Sequence, residues 1–473
     1  MLSCSFLPTV FFNFLSATRL SKKLLNELTE NLNEAVYNCF SEKELNLLAY
    51  DTEFVQRATA KLNGYMFFCL TVFHNEKLKM QALESLCETL RDEFGLKIEK
   101  QSLNERFNEK ATDFLKTALE KLLQNQLFEQ AILLKNTNFN RILIKDSVCF
   151  ELPEELAEVY EGSGGSASAA MIRIQFEYDL LSGKISDLSL NAFNDQDQTN
   201  AIATIELTKE NDLIIRDLGY INLSALKKII KRNASFLNRL GYNIKVYIRK
   251  DDKYEEVDFV KIRQFMIKNK LSVHEKEVYI GQKEKLQVRL VIYLLPDEVV
   301  EQRLRKARKS NKTKNLSKEY KARAALNLFI TNTTSEQIPA KLVWTLYRLR
   351  WQIELVFKIW KSIFGIDKVK KVKLERFECY LYGKLILIVL GWQILWRIAK
   401  VLFNRKNRLL SFYKAFNALL NKWLDDIKSA VLNSTNDFGT FIYKLYKRSE
   451  IYYLLERKGK EQSPMEELLT MGK

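Results

Sequence analysis

The order of strands and helices predicted after residue 140 limits the fold of this chain more than any other feature. Up to about residue 130 the sequence favours helices, whereas from residue 140 short segments alternate apolar and polar residues as strands do. In chain order the segments are RILIKDS, MIRIQFEYD, KISDLSL, a polar helical segment at 195–205, DLIIRDLGY, LSALKKIIKRN and YNIKVYIRK. MIRIQFEYD alternates most regularly, which predicts a half-buried strand. Three strands, a helix, a strand, a helix and a fifth strand together predict a mixed α/β sheet.

Two aspartates lie at the ends of predicted strands. The first strand ends on Asp146, and the fourth has Asp217 near its end. This order of elements is that of a mixed sheet of the ribonuclease H type, in which the first and fourth strands lie side by side. We therefore expect the two carboxylates to lie together. A single aspartate at a strand end is usually a turn or cap residue, so the pair needs a third partner before it indicates a site.

A polar stripe marks the stretch YRLRWQIELVFKIWK, which is predicted to form one helix from residue 347 to 361. At about 100° per residue, Tyr347, Arg350, Glu354 and Lys361 fall within roughly 60° of one another, and the apolar side chains fall on the opposite side. Taken alone, the stripe is explained equally well as a solvated face with an Arg350–Glu354 pair.

The charge of the chain predicts a polyanionic partner. Lys and Arg number 75 against 58 Asp and Glu, the formal net charge is +17, and residues 303–323 contain ten Lys or Arg with only Glu319 as an acid. Such a segment is either a solvated face or a phosphate contact. An anionic membrane is the other candidate partner, but the apolar run LILIVLGWQILW is 12 residues long, and spanning a bilayer takes about 20. We therefore predict a buried core helix there. Residues 6–15 are apolar but lack the basic flank of a signal peptide, since the first Lys or Arg is Arg19.

Metal chemistry in this chain is restricted to carboxylates. The sequence has only two histidines, His74 and His274, and its six cysteines show no CxxC spacing. This argues against a thiolate zinc site and is typical of a reducing cytosol. Any metal site is therefore expected to hold a hard cation such as Mg²⁺ or Mn²⁺.

Asp146, Asp217 and Glu354 would come from two neighbouring strand ends and one helix face. Three converging carboxylates without a histidine are suited to two divalent ions about 3.5–4 Å apart. Such a pair activates a water or a 3′-hydroxyl on one side of a phosphodiester and stabilises the departing oxygen on the other. The phenol and cations of the stripe would hold the phosphate backbone against the site.

The spacing Tyr347-x2-Arg350-x3-Glu354-x6-Lys361 resembles the Tyr-Arg-Glu-Lys signature of a group of bacterial insertion-sequence transposases in the DDE superfamily, the group that includes the Tn-five transposase. The same resemblance is carried, from about residue 50 to 375, by TEFVQR, LIKDS, IIRDLGY, LFITN and LYRLRWQIELVFKIWKS.

The resemblance implies cut-and-paste transposition of an insertion sequence, with hydrolysis and strand transfer at the element ends, often through a hairpin intermediate. It implies that the catalytic metal ligands are Asp146, Asp217 and Glu354, holding two Mg²⁺ ions per active site with Mn²⁺ as an alternative. It implies that the contacts to DNA at the element end are Tyr347, Arg350 and Lys361. The partners would be the terminal inverted repeats, target DNA and a second copy of the chain in a paired-end complex. The expected location is the cytoplasm of a prokaryote, at the nucleoid.

Two departures from the group's pattern concern the first aspartate block and the hairpin step. The block reads DSV, where Thr is common after the Ser. All six tryptophans lie on the signature stretch or beside it and further C-terminal, so the predicted insertion contains none. If hairpin formation needs a ring to hold a flipped base, Tyr279 or Tyr293 would have to serve.

The sequence divides into five predicted regions. They are a helical N-terminal domain at 1–135 with possible DNA-end binding, a ribonuclease H-like core at 136–250, an inserted β-rich and basic subdomain at 251–325, the rest of the core with the signature helix at 326–375, and a helical C-terminal region at 376–473 for dimerisation or DNA contact. In the first region, Gly95 separates two helices and SLNE at 102–105 has the spacing of a capping box. These helices are either a helix-turn-helix reader of duplex DNA or an ordinary helical hairpin.

Two alternative functions are compatible with the same fold. A catalytically inactive, transposase-derived DNA-binding protein would lack an acidic residue or have a broken core, and the sequence has neither defect. A metal-dependent nuclease of the same fold would have no reason to carry the Tyr-Arg-Glu-Lys spacing or the long insertion.

Overall fold

The computed structural model describes residues 32–57, 60–76, 83–126, 139–164, 168–194, 202–311, 315–432 and 435–456, with Thr29 and Asn200. The described residues form two compact units. The sheet unit is drawn from 130–149 and 172–354, and the helical unit from 1–129, 150–171 and 355–458. The apolar segment 6–15, part of the polar segment 195–205 and residues 457–473 lie outside the described residues.

Ten strands form one mixed sheet among the described residues. They are β1 Arg141–Glu151, β2 Met171–Asp179, β3 Ile185–Ala192, β4 Asp212–Arg216, β5 Ser235–Arg239, β6 Val246–Lys250, β7 Lys253–Glu256, β8 Val273–Ile280, β9 Leu286–Leu294 and β10 Leu326–Thr331. Their order across the sheet is β3-β2-β1-β4-β5-β10-β9-β8-β6-β7. β1, β4 and β5 are parallel, whereas β10 runs antiparallel to both β5 and β9. The mixed α/β fold is confirmed, and so is the prediction that the first and fourth strands are neighbours.

β1 is longer than the sequence predicts. It continues to Glu151, so Asp146 lies within the strand and does not end it. The ladder between β1 and β4, however, ends at the pair Lys145 and Arg216. Asp146 is therefore the first residue of β1 beyond its pairing with β4.

Two further predictions about strands are correct only in part. The strand beside β4 is β5, with the sequence SFLNR, whereas the predicted fifth strand YNIKVYIRK contributes β6, which pairs with β7 and β8. β5 lies between β4 and β10 and is buried on both faces, so it lacks the alternation by which strands are recognised, which is why it was missed. β2 is a strand as predicted, but it is not half-buried, because Gln175 and Glu177 on its polar face are buried too.

Residues 251–325, the predicted insertion, contribute to the same sheet as the core. They contain β7, β8 and β9, and residues 289–294 of β9 pair with the whole of β10. Residues of β1, β4 and β5 and of the insertion strands β8 and β9 share one hydrophobic core with two covering helices, Leu223–Lys231 and Phe259–Lys268. The core and the insertion are thus joined by backbone hydrogen bonds and by packing.

The helices of the described residues are numbered in chain order. They are α1 Leu32–Phe40, α2 Glu42–Asp51, α3 Gly64–Val72, α4 Leu83–Phe94, α5 Lys100–Arg106, α6 Glu109–Gln124, α7 Leu223–Lys231, α8 Phe259–Lys268, α9 Asp297–Asn311, α10 Lys318–Ala324, α11 Ala340–Arg348, α12 Trp351–Ser362, α13 Leu374–Lys406, α14 Phe412–Lys422, α15 Leu424–Leu432 and α16 Thr435–Tyr452.

The helical unit is built around α13, which packs against α3 and α6. By length and composition α13 could cross a membrane, but 89% of its most apolar window is buried within the protein. The predicted buried core helix is thus confirmed, although it has 33 residues rather than 12. α13 includes Gly383, where an added Cβ would come within 2.3 Å of the carbonyl oxygen of Thr71 in α3.

The N-terminal pair of helices differs from its prediction. Gly95 ends α4 with a positive φ of 66°, as expected of a helix-terminating glycine. The predicted capping box at 102–105 is wrong, because Ser102 lies inside the short helix α5. The functional cap is Asn108, whose side chain accepts a hydrogen bond from the Ala111 N–H at 3.1 Å and begins α6.

Candidate active site

Asp146 and Asp217 lie beyond the same end of the ladder between β1 and β4. Asp146 follows the last paired residue of β1, and Asp217 follows the last residue of β4 and precedes a short 3₁₀ turn at 218–220. Because parallel strands end at the same edge, the pairing of β1 with β4 brings these two aspartates to one place.

The stretch from 347 to 361 is not the single helix that the sequence predicts. α11 ends at Arg348 and α12 begins at Trp351, with Arg350 in the turn between them. The Arg350 N–H donates to the Tyr347 carbonyl at 3.1 Å, and the Ile353 N–H donates to the Arg350 carbonyl at 3.1 Å. These are the i to i+3 bonds of a tighter turn. The stretch contains neither Gly nor Pro, so its sequence gives no sign of the break.

The Arg350 guanidinium contacts all three candidate carboxylates. Its Nη1 lies 2.7 Å from Asp146 Oδ2, its Nη2 lies 2.8 Å from Glu354 Oε1, and its Nε lies 3.5 Å from Asp217 Oδ1. The last contact is an ion pair without hydrogen-bond geometry. The Tyr347 hydroxyl donates to the same Asp217 oxygen at 3.5 Å. The structure therefore gathers five of the six predicted site residues around one cation.

The sixth predicted residue, Lys361, lies in the last turn of α12. It belongs to the helical unit, whereas the other five belong to the sheet unit. Glu354 lies in the first turn of the same helix, where the partial positive charge of the helix N-terminus favours a carboxylate.

Burial governs the electrostatics of the site. It is the main cause that raises the pKa of Asp146 to about 6; the Asp217 and Glu354 charges raise it too, while the Ser147 N–H and Arg350 oppose the rise. Burial alone would lower the pKa of Arg350, but the aspartates hold it above its ordinary value. Burial and the Asp217 charge raise the pKa of Tyr347 to about 12, so its hydroxyl remains a donor at neutral pH.

The donor chemistry fits a hard divalent cation, because the three side chains offer only carboxylate oxygens. Within the described residues, no group of three His, Cys, Asp or Glu side chains is close enough together to hold a metal ion. The Arg350 guanidinium lies among the carboxylates and supplies the positive charge that they require.

Sequence reasoning missed a set of buried charges beside this site. Lys145 and Arg216 each directly precede a candidate aspartate, and both are buried. Their partners are Asp187 on β3, Glu177 on β2 and the Thr204 hydroxyl. Glu177 provides no signal of its own, because it stands at an ordinary polar position of the alternating segment MIRIQFEYD.

The two tyrosines considered for holding a flipped base differ in their environment. Tyr293 is 7% exposed, its ring packs against Phe329 and Trp344, and its hydroxyl accepts a hydrogen bond from the Trp344 N–H at 2.9 Å. Its ring is thus part of the core. Tyr279 on β8 is partly exposed, and its ring contacts that of Tyr254 edge-on.

The chain is similar to known transposases over most of its length. Residues 137–390 match the family model of the transposase DDE domain. The transposase for insertion sequence element IS231F of Bacillus thuringiensis subsp. israelensis is 34% identical over 433 residues, covering 88% of this chain and 89% of that protein. The transposase for insertion sequence element IS1151 of Clostridium perfringens is 30% identical over 456 residues, covering 90% and 96%. A cryo-EM structure of a piggyBac transposase synaptic complex with hairpin DNA covers 85% of each chain at 10% identity with a TM-score of 0.43, a likeness too low to bear on the fold.

Proposed function

This chain belongs to the insertion-sequence transposases with a DDE domain, and we propose that it moves its element by cut-and-paste transposition. The reaction would be hydrolysis of the phosphodiester at each element end, followed by transfer of the freed 3′ end to target DNA. One observation carries the proposal: three carboxylates from three separate elements converge on a single cation at one end of the β1–β4 ladder.

Asp146, Asp217 and Glu354 are proposed to be the catalytic residues and the metal ligands. A DDE domain implies a divalent metal in general, and the all-oxygen donor set favours two Mg²⁺ ions, with Mn²⁺ as an alternative. When bound, the metal supplies a Lewis acid and a lowered pKa for the attacking hydroxyl. The three side chains bind and orient it, and no histidine is needed for proton transfer.

Tyr347, Arg350 and Lys361 are proposed to bind the DNA at the element end. Arg350 suits this role because its planar fork matches a phosphate as well as a carboxylate. In the structure its guanidinium contacts all three carboxylates, so binding a phosphate requires that it give up some of these ion pairs. The Tyr347 hydroxyl remains a donor, as a phosphate contact requires.

The finer architecture is proposed on the same basis. We propose a ribonuclease H-like core from β1 to β5 and membership of the Tyr-Arg-Glu-Lys signature group, supported by the strand order β3-β2-β1-β4-β5 and by the residue spacing. Action as a homodimer on paired element ends, at the nucleoid of a prokaryotic cytoplasm, is the corresponding biological proposal. The net charge of +17 is consistent with a DNA partner.

An excision assay tests the proposed function. The gene and its flanking DNA are placed on a plasmid, and loss of the element is scored by amplification across the donor junction. We expect excision with the wild type, none with Glu354→Gln, and wild-type excision with the control Glu298→Gln, which changes an exposed carboxylate in the first turn of α9. Excision by the Glu354→Gln variant would refute the role of this carboxylate. If neither the wild type nor any variant excises the element, the result would favour an inactive DNA-binding protein.

A further inference from the structure

Two buried cations stand side by side at the end of the ladder that leads into the candidate site. Lys145 on β1 and Arg216 on β4 are register partners, and they form the last pair of the ladder. The side chain of Lys145 is fully buried, and that of Arg216 is nearly so. Because side chains alternate along a strand, Lys145 lies on the face opposite to Asp146, the residue that follows it.

Each cation has its own carboxylate partner from a neighbouring strand. Lys145 Nζ lies 2.5 Å from Asp187 Oδ2 on β3. Arg216 Nη2 lies 2.9 Å from Glu177 Oε1 on β2, and its Nε lies 3.3 Å from the same oxygen. The set is therefore neutral as a whole, whereas removal of any one member would leave an uncompensated buried charge.

Thr204 joins the two cations through one hydroxyl. Its Oγ1 accepts from Lys145 Nζ at 3.2 Å and from Arg216 Nη2 at 3.3 Å, and it donates to the Asn200 carbonyl at 2.9 Å. A hydroxyl has one donor and two acceptor positions, so its hydrogen-bonding capacity is used fully. On the other side of β4, the Asn238 side chain donates to the Arg216 carbonyl at 3.1 Å. These contacts tie all of β1 to β5 together just before the aspartates.

We propose that Lys145 and Arg216 are positioning residues of the cleavage site, which fix the ends of β1 and β4 so that Asp146 and Asp217 can share a divalent cation. The inference rests on the proposed function of those aspartates. The Lys145 ammonium and the Arg216 guanidinium both contact the Thr204 hydroxyl oxygen. Two like charges can lie so close only while both carboxylates and this hydroxyl are in place, so the set specifies one relative position of the strands. A shift of one residue along the ladder would turn the cations toward the opposite face.

The test removes one ion pair without leaving a lone charge. Lys145→Met combined with Asp187→Leu replaces the pair by apolar side chains of similar size, a change that often leaves the stability of a fold intact. We expect the full-length variant to keep its unfolding midpoint, while its affinity for Mn²⁺, followed by electron paramagnetic resonance without DNA, falls about tenfold, as is usual when the residues that orient metal ligands are lost. If the double variant fails to fold, the milder variant Thr204→Val serves as the test, and it is expected to weaken Mn²⁺ binding severalfold.

A matched control lies at the other end of the same ladder. Arg141 and Asp212 are also register partners and form an ion pair in which Arg141 Nε lies 2.8 Å from Asp212 Oδ1. Arg141→Leu with Asp212→Asn removes that pair far from the aspartates, and Mn²⁺ affinity should stay at the wild-type value. Folded Lys145→Met/Asp187→Leu protein with wild-type Mn²⁺ affinity, or an equal loss in the control, would overturn the inference. Mn²⁺ titration of an Asp146→Asn variant distinguishes this failure from failure of the proposed function. If that variant binds Mn²⁺ as the wild type does, the proposed function itself fails.

Discussion

Replacement of Asp146 by asparagine should stabilise the metal-free protein. The Asp146 side chain is only 20% exposed, and burial and two neighbouring carboxylates raise its pKa to about 6 from an ordinary value of 3.8. This difference makes the ionised carboxylate about 3 kcal/mol less favourable in the folded protein than in the unfolded chain. Asparagine keeps the shape and carries no charge, so it avoids that penalty. The Arg350 contact is already included, because the pKa reflects its opposing effect.

The sign of the pH dependence follows from the raised pKa. Between pH 3.8 and about pH 6 the folded protein binds the Asp146 proton more tightly than the unfolded chain does, so this group reduces stability as the pH rises through that window. The advantage of Asp146→Asn should therefore be greatest above pH 6. We expect Asp146→Asn to raise the free energy of unfolding by about 3 kcal/mol at pH 7.5 and by roughly half of that at pH 5.

Urea unfolding in the presence of a chelator, at pH 7.5 and at pH 5, measures both quantities. The matched control is Asp217→Asn, whose side chain is 43% exposed and keeps much of its hydration, so its effect should be small. An Asp146→Asn variant that is less stable than the wild type, or a stability difference that does not change with pH, would show that the burial argument is wrong. The variant should also be unable to cleave DNA, which would make this a site where stability is given up for activity.

Three further predictions concern DNA binding, packing and the metal. Arg350→Ala should weaken binding to the element end and reduce the slope of log affinity against log salt by about one, and an unchanged slope in a filter-binding titration would exclude the phosphate contact. Gly383→Ala should lower the free energy of unfolding by about 1–3 kcal/mol, because its Cβ would meet the Thr71 backbone in α3. Gly391→Ala, whose Cβ has the Phe416 and Leu419 side chains as its nearest neighbours, should cost less, and calorimetric unfolding of both variants measures the difference. Cleavage by the wild type should stop in a chelator and return with Mg²⁺ or Mn²⁺, and activity that survives chelation would refute metal dependence.

Several strands of the sheet could be predicted from the sequence because their residues alternate between apolar and polar side chains. The alternation of apolar and polar residues was sufficient to identify β2 and β3. β5 was missed because SFLNR is short and buried on both faces, and a hydrophobic period cannot appear in a strand without an exposed face. The cap of α6 was missed because SLNE has the spacing of a capping box but lies inside the preceding helix α5, whereas α6 is capped by Asn108.

The candidate site was predicted as a set of residues but not as a set of contacts. Spacing alone placed Arg350 and Glu354 on one stripe, and the structure has that pair at 2.8 Å. It could not reveal that the chain turns at Arg350, since no glycine or proline marks the turn. Nor could it reveal that the guanidinium reaches two aspartates more than 130 residues earlier in the chain, because such contacts depend on the register of β1 with β4. The role of Lys145 and Arg216 was hidden for the same reason.

β10 is hydrogen-bonded on both sides, to β5 in the core and to β9 in the insertion. A shortened transposase that lacks residues 251–325 would therefore lose more than a peripheral module. It would leave LNLFIT, six buried residues, as an edge strand that pairs only with β5, and the N–H and C=O groups that now pair with β9 would be free to recruit another chain. Attempts to reduce this protein to a minimal catalytic core should accordingly yield aggregates, unless the new edge is blocked by a charge or a proline.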